Sequence, residues 1–370
     1  MKLLLTCVSL DSERGAGTAE RTRQLARALV AAGYQCSIAT IDSGSLVKEL
    51  TGIGASIYVT GSTRLKFTIP FVSPWRLWNL VRNAEVVHIL GYWNLLSVLT
   101  AFFAFVGNRP FLLCAAGELA LLNEPRHVAK LFHRLFGWLL LGKAAKIIAI
   151  TELEKQQLLA RFHFPADRVS VLPNGAIASN IALAETPAAE SPATPYILFM
   201  GRLAHIKGPD LLVEAFGIVA PQYPEITLLL AGPDLGLQAS LEARSRELGL
   251  NNRIRFLGFV NEQQRTELYR GASFLVVPSR AEAMSLVALE AGAAGIPVVA
   301  TDQCGLSAIE EVDAGLICNC EVVSIAHALV IMLGSSQRRQ QGRRWQAYVL
   351  RNYSWSAIAD DLVAIAEHVK

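Results

Sequence analysis

Ten short, almost unbroken apolar runs, five in each half of this 370-residue chain, constrain the fold more than any other feature. In the first half they are residues 3–8, 36–41, 86–90, 111–115 and 147–150. In the second half they are 196–200, 226–231, 254–257, 274–277 and 298–300. A strand with one wet face alternates apolar and polar residues, whereas a run apolar at every position must be covered on both faces. Stretches of helical periodicity separate the runs, so the pattern predicts parallel sheets sandwiched between helices. Two doubly wound α/β domains of Rossmann-like kind follow, facing across a cleft, with ligands expected beyond the carboxyl ends of the strands. At 52% hydrophobic and 18% charged, the composition supplies two such cores and excludes disordered, collagen-like and disulfide-scaffold chains.

Charge and cysteine content remove further classes. A net charge of +3 gives no footprint for nucleic-acid binding. The six cysteines show no CxxC and no zinc-type pairing with histidine, which predicts free thiols packed as small apolar residues in a reducing compartment. A mean hydropathy of +0.36 requires a test for membrane spans. Residues 86–108 carry no Lys, Arg, Asp or Glu, but His88, the 91–94 turn and Ser97 interrupt them. A five-residue strand and a helix of about 13 residues remain, short of the ~20 that span a bilayer. The first ten residues read as a strand, not a leader peptide. The Ala-, Ser-, Thr- and Pro-rich stretch at 176–195 reads as a linker between domains at 1–175 and 196–352.

Two segments hold the residue types that chemistry needs. In Gly201-Arg202-Leu203 through Lys207-Gly208, a strand ends on a glycine, and two cations five residues apart precede a helix expected over 209–219. Fixed cations at the mouth of an α/β domain suit a diphosphate, whose charge grows as it leaves; the same residues also suit a plain solvated loop. In 278–291, Glu282 follows a strand and Glu290 lies within a helix starting near Met284, whose first amides can face anionic oxygens. Glu290 has apolar neighbours, so it is either solvated on an outer face or buried with a partner such as ribose hydroxyls. The aromatics Tyr58, Trp75 and Trp78 fall at core-like spacing, and His88, at a strand end, is either a packing residue or a catalytic one.

Gly201-Arg202…Lys207-Gly208, Ala231-Gly232-Pro233, Phe256-Leu257-Gly258 and Glu282…Glu290-Ala291 follow in an order and spacing that resembles glycosyltransferase family 4. That family comprises retaining, nucleotide-sugar-dependent enzymes of the GT-B fold. The first half is similar too: Gly15 and Gly17 before a helix, Val87-His88…Gly91…Trp93-Asn94, Thr151-Glu152 and Pro173-Asn174-Gly175. The resemblance implies that Arg202 and Lys207 bind the donor diphosphate, that Glu290 accepts from its ribose, and that Glu282 faces the transferred sugar. Gly15, Gly17 and Gly201, with the amides around Met284, Ser285 and Leu286, would approach the donor. His88 enters as a catalytic candidate, and residues 353–370 would form a helix crossing back to the first domain. No metal is implied, and the chain has no DxD motif and no His/Cys cluster.

The implied activity is transfer of a hexosyl group from a nucleoside diphosphate sugar to a saccharide or lipid-linked saccharide, as in bacterial surface-polysaccharide assembly at the cytoplasmic face of a membrane. Two departures leave open an inactive, binding-only relative. Ala116 stands where family members often carry a histidine, with Glu118 or His88 as compensating candidates, and Gly305-Leu306-Ser307-Ala308 lacks the usual Pro-Glu. A nicotinamide-dependent dehydrogenase is excluded, because Gly15-Ala16-Gly17-Thr18-Ala19-Glu20 completes no GxGxxG. Residues 126–146 alternate Lys130, Arg134, Lys143 and Lys146 with Leu131, Phe132, Leu135, Phe136, Trp138 and Leu139. That pattern predicts either a core-facing helix with a solvated back or a basic amphipathic helix against an anionic membrane surface.

Overall fold

The computed structural model describes residues 1–11, 14–61, 73–123, 127–176 and 195–370. They divide into two compact units, Met1–Gly175 together with Trp355–Lys370, and Ala176–Ser354. Most of the expected linker, 177–194, lies outside the described residues.

The first unit is built on seven strands: β1 (Lys2–Cys7), β2 (Gln35–Thr40), β3 (Ser56–Val59), β4 (Val86–Leu90), β5 (Phe111–Cys114), β6 (Lys146–Ala149) and β7 (Val169–Val171). They pair in parallel in the order β3-β2-β1-β4-β5-β6-β7. The central β4 and β5 are buried along their whole length, as continuous apolar runs demand. The 86–108 stretch resolves into β4 and a 12-residue helix, Leu95–Val106, whose start is capped by the Asn94 side chain accepting from Ser97 N at 2.8 Å. Among the described residues no helix is long and apolar enough to cross a membrane.

One buried cation stitches this unit together. Arg21, on the helix Ala16–Ala31, donates to the carbonyls of Leu172 (2.9 Å) and Pro173 (2.8 Å) and to Asn174 Oδ1 (2.7 Å). Its positive charge is thus spread over three acceptors just beyond β7, although burial pulls its pKa below the usual arginine value. The last helix, Trp355–Val369, packs on the Ala16–Ala31 helix, and Gly175 leaves room for the Trp355 ring.

The second unit has six strands: β8 (Tyr196–Met200), β9 (Thr227–Ala231), β10 (Ile254–Gly258), β11 (Phe274–Val277), β12 (Val298–Thr301) and β13 (Gly315–Cys318). All neighbours are parallel, in the order β10-β9-β8-β11-β12-β13. The helix Pro209–Val219 begins on its proline, where a missing N–H costs nothing. Both sheets therefore have the doubly wound topology read from the sequence.

Three strands escape that reading, β3, β7 and β13, and each lies at a sheet edge. An edge strand has one neighbour, is short and is only partly covered, so it needs no continuous apolar run. All six cysteines are free thiols.

Candidate functional site

In each sheet the strand order reverses direction once, between β1 and β4 and between β8 and β11. Chains leaving neighbouring strands at such a point diverge to opposite faces and open a crevice at the carboxyl ends. In the second unit this is where the predicted residues gather. After β8 the backbone runs through a short turn, His205–Lys207, to Gly208, which adopts φ +67°. A Cβ at Gly208 would run into the carbonyl oxygen of Pro278, so glycine lets the β8 and β11 loops touch.

Arg280, on the β11 loop, fastens that contact. Its N–H donates to Ile206 O (2.8 Å), and its guanidinium reaches His205 O (2.6 Å) and both carboxylate oxygens of Asp210 (2.8 and 2.6 Å). The side chain of Lys207 is thereby held against Glu282, Nζ to Oε1 at 3.0 Å. The same Oε1 accepts from Ser279 Oγ at 2.5 Å, while Glu282 N donates to Gln303 O at 2.9 Å. Thr301 Oγ1 in turn donates to Ser279 O at 2.6 Å, tying the loop to the end of β12. The guanidinium of Arg202, on the same β8 loop, has no hydrogen bond or ion pair with the described residues.

Met284 and Ser285 are buried ahead of the helix Leu286–Ala293, which starts two residues after the position expected. The hydroxyl of Ser285 is buried without a partner among the described residues. Four residues into the helix, Glu290 is buried, with 7% of its side chain exposed. Its Oε2 accepts from Tyr269 Oη at 2.9 Å, and its Oε1 stands 3.2 Å from Arg265 Nη1. Burial, and secondarily the Glu290 charge, push the Tyr269 phenol far above its ordinary pKa, so it remains a donor. The partner that a buried carboxylate requires thus comes from the chain's own helix Glu262–Gly271, which corrects the idea that an external ligand is needed to satisfy it. No local signal in the sequence links Arg265 and Tyr269 to a carboxylate over 20 residues away; only their i, i+4 spacing puts them on one helix face.

The first unit has a cavity of about 110 Å³ at its own reversal point, lined by Ser9, Arg14, Gly15, Thr18, Gly91 and Glu118 among others. A side chain at Gly15 would collide with Ser9 O, Asp11 O and Ala19, so close packing of the chain on itself already demands glycine there. Gly17 lies inside the helix Ala16–Ala31, not in a loop before it. Glu118 Oε2 accepts from the amides of Tyr92 (2.5 Å) and Trp93 (3.4 Å), and Glu154 accepts from those of Gly117 and Ile150, both at 2.7 Å. Burial raises the pKa of both carboxyls, and the amide donors oppose that rise. Ala116, at the family's histidine position, holds a left-handed φ of +49°.

His88 requires correction as a catalytic candidate. It lies in the middle of β4 with no exposed surface, and neither ring nitrogen has a partner among the described residues. Burial, aided by the Arg21 charge, lowers its pKa to about 3, so it is a neutral packing residue. Among the described residues no group of three or more His, Cys, Asp or Glu is placed to hold a metal ion.

Two family models match, one for each half of the chain. Glycosyltransferase Family 4 covers residues 15–178, and Glycosyl transferases group 1 covers 185–344. A D-inositol 3-phosphate glycosyltransferase of Nocardia farcinica is 33% identical over 60% of this chain and 52% of its own length. One from Salinispora tropica is 30% identical over 61% and 52%. The chain spans about half the length of the curated relatives it matches. Among solved structures, HepE from Anabaena, crystallised with UDP and glucose, superposes with a TM-score of 0.79 at 18% identity over the whole of both chains. WaaG, a glycosyltransferase involved in lipopolysaccharide biosynthesis, gives 0.69 at 17% identity, covering 98% of this chain and 99% of its own. With two Rossmann-like units, a matching motif series and a family model on each half, this chain belongs to the group 1 glycosyltransferases of family 4, with the GT-B fold.

Proposed function

We propose that this chain transfers a hexosyl group, with retention of configuration, from a nucleoside diphosphate sugar to a saccharide or lipid-linked saccharide acceptor in surface-polysaccharide assembly on the cytoplasmic side of a membrane. One observation carries the donor assignment: among the described residues Arg202 has no charged or hydrogen-bonding side-chain partner and the Lys207 ammonium has Glu282 alone, and both stand on the loop beside the β8/β11 crevice. A diphosphate supplies the charge these cations lack. HepE, of the same fold, is known in complex with UDP-glucose.

In this reading Arg202 and Lys207 neutralise the diphosphate, so a divalent ion is not required. Drawing Lys207 onto phosphate frees Glu282 to accept from a hydroxyl of the sugar. Glu290, already anchored by Tyr269 and Arg265, uses its remaining lone pairs for ribose hydroxyls. As the bond from the anomeric carbon to the phosphate oxygen breaks, the acceptor oxygen attacks the same face. The departing phosphate oxygen takes the acceptor proton, so no protein nucleophile is needed. Preorganised charge at the leaving group is the main source of acceleration.

A thermal-shift panel of nucleoside diphosphates and their sugars tests the donor class, because a ligand that binds only the folded state raises the melting temperature. Arg202→Ala and Lys207→Ala should each reduce turnover by ~10²-fold or more with little change in melting temperature. Near-normal rates in both would overturn the diphosphate assignment.

A further inference from the structure

The sequence allows the helix His127–Leu140 to be either core-facing with a solvated back or lipid-facing, and the structure separates its two sets of apolar residues. Phe132, Phe136 and Leu139 turn inward to the first unit's core. Val128, Leu131, Leu135 and Trp138 turn outward, each more than half exposed. The back of this helix is therefore apolar, not solvated by polar side chains.

The patch continues onto two neighbouring helices. Phe105, on Leu95–Val106, meets the Trp138 ring edge-on at 6.4 Å, and Phe102 and Val106 beside it are also exposed. The helix Pro74–Asn83 packs on Leu95–Val106 through Trp78 and Phe103 at 5.9 Å, and adds Trp75, which is 71% exposed instead of lying in the core as its spacing suggested. None of these three helices contains an acidic residue. They carry exposed Arg76, Arg82, Lys130 and Arg134, with exposed Lys143 just beyond, its Nζ 5.1 Å from the Phe105 ring centre. None of these five cations has an ion-pair partner among the described residues.

We propose that this face docks on an anionic lipid bilayer, laying the three helices in the interface without crossing it. Tryptophans and aliphatic residues flanked by cations match the two layers a bilayer offers, acyl chains below and negative headgroups above. A protein partner of mixed charge would call for acidic acceptors as well as cations, and none of the three helices supplies one. Contiguous exposed apolar surface of this kind needs a cover. This inference stands apart from the donor site in the second unit.

The full chain should co-sediment at low salt with vesicles of 3:1 phosphatidylcholine and phosphatidylglycerol. Binding to pure phosphatidylcholine should be ~10-fold weaker or less, and salt should weaken the anionic-vesicle binding. Lys130→Glu with Arg134→Glu, both exposed and unpaired, should leave the melting temperature unchanged and reduce binding by ~10-fold or more. Leu131→Ser, Leu135→Ser and Trp138→Ser together should do the same on folded protein, judged by circular dichroism. Trp75→Phe with Trp138→Phe should remove most of a vesicle-induced fluorescence blue shift. The proposal fails if wild type ignores anionic vesicles at low salt, or if the charge-reversed variant binds as wild type does. It fails equally if light scattering shows a dimer that the triple substitution dissolves while vesicle binding is absent, because the face would then pair with a second copy.

Discussion

The two units share one topology yet place their charged side chains differently at the strand ends. In the first unit the inward charges are consumed by the chain itself. Arg21 binds three backbone and side-chain oxygens beyond β7, while Glu118 and Glu154 bind amides of adjoining loops. In the second unit Arg202 has no partner among the described residues, and the loop around Lys207 is held by a separate pair, Arg280–Asp210. Spent charges hold a fold, whereas unspent ones are available to a ligand. The overall balance points the same way only loosely: residues 1–175 carry 19 basic and 11 acidic side chains, and 176–370 carry 15 and 20. The more basic half is not the one with the crevice arginine, and four of its cations lie on the helices Pro74–Asn83 and His127–Leu140, which carry no acidic residue.

That contrast can be broken most sharply at Arg21. Arg21→Leu should destabilise the protein by about 3–5 kcal/mol, because three enclosed oxygens lose their donors together. Denaturant unfolding measures this, and a loss below ~1 kcal/mol would mean that the buried cation is not structural. Nucleoside diphosphate binding to the surviving folded protein should be unaffected.

Glu290 sharpens the comparison because it is both spent and available. Glu290→Gln keeps the shape but removes the charge, so affinity for bare nucleoside diphosphate should fall by about 1.5–3 kcal/mol in calorimetric titration. Tyr269→Phe removes one support and should lower stability by ~1 kcal/mol while affinity changes less. If Glu290→Gln binds as tightly as wild type, Glu290 is only a strut between two helices.

The neutral His88 predicts acid lability in the first unit. Its pKa drops from 6.5 when unfolded to about 3 when folded. Between those values the unfolded chain holds more protons, so stability should decline as pH falls from 6.5 towards 3, by about 1.4 kcal/mol per pH unit from this group. His88→Leu should flatten that part of the profile. An unchanged slope would show that the ring is hydrated or charged in the folded protein.

The smallest effect is expected at Glu282. Since Glu282 holds Lys207 at 3.0 Å in the unliganded chain, it competes with phosphate for that cation. Glu282→Gln should therefore leave bare diphosphate affinity unchanged or raise it by a few-fold, while weakening the sugar donor by ~1 kcal/mol. A marked loss of diphosphate affinity would place Glu282 on the phosphate side.

The fold was legible because burial writes itself into composition. A strand such as β5, covered on both faces, is apolar at every position, and Pro209 marks a helix start by its own chemistry. Three of the four edge strands left no such trace, β3 and β13 being only partly covered, while β10 was still readable at 254–257. The two cations and two glutamates of the second unit were readable as types at a spacing. Their pairing was not, because Arg265 and Tyr269 meet Glu290, and Lys207 meets Glu282, only after the sheet brings distant segments to one end.

The sequence by itself determined the class of fold, the number of sheets and the segments that hold the chemistry, since these depend on local pattern and on which residues tolerate burial. Tertiary structure alone decided which polar groups were left over. Whether His88 is catalytic or packed, whether Trp75 and Trp138 lie in the core or on the surface, and whether Lys207 is free or held depend on neighbours tens of residues away. A side chain's burial and pairing are properties of its surroundings, and these exist only once the strands are in order.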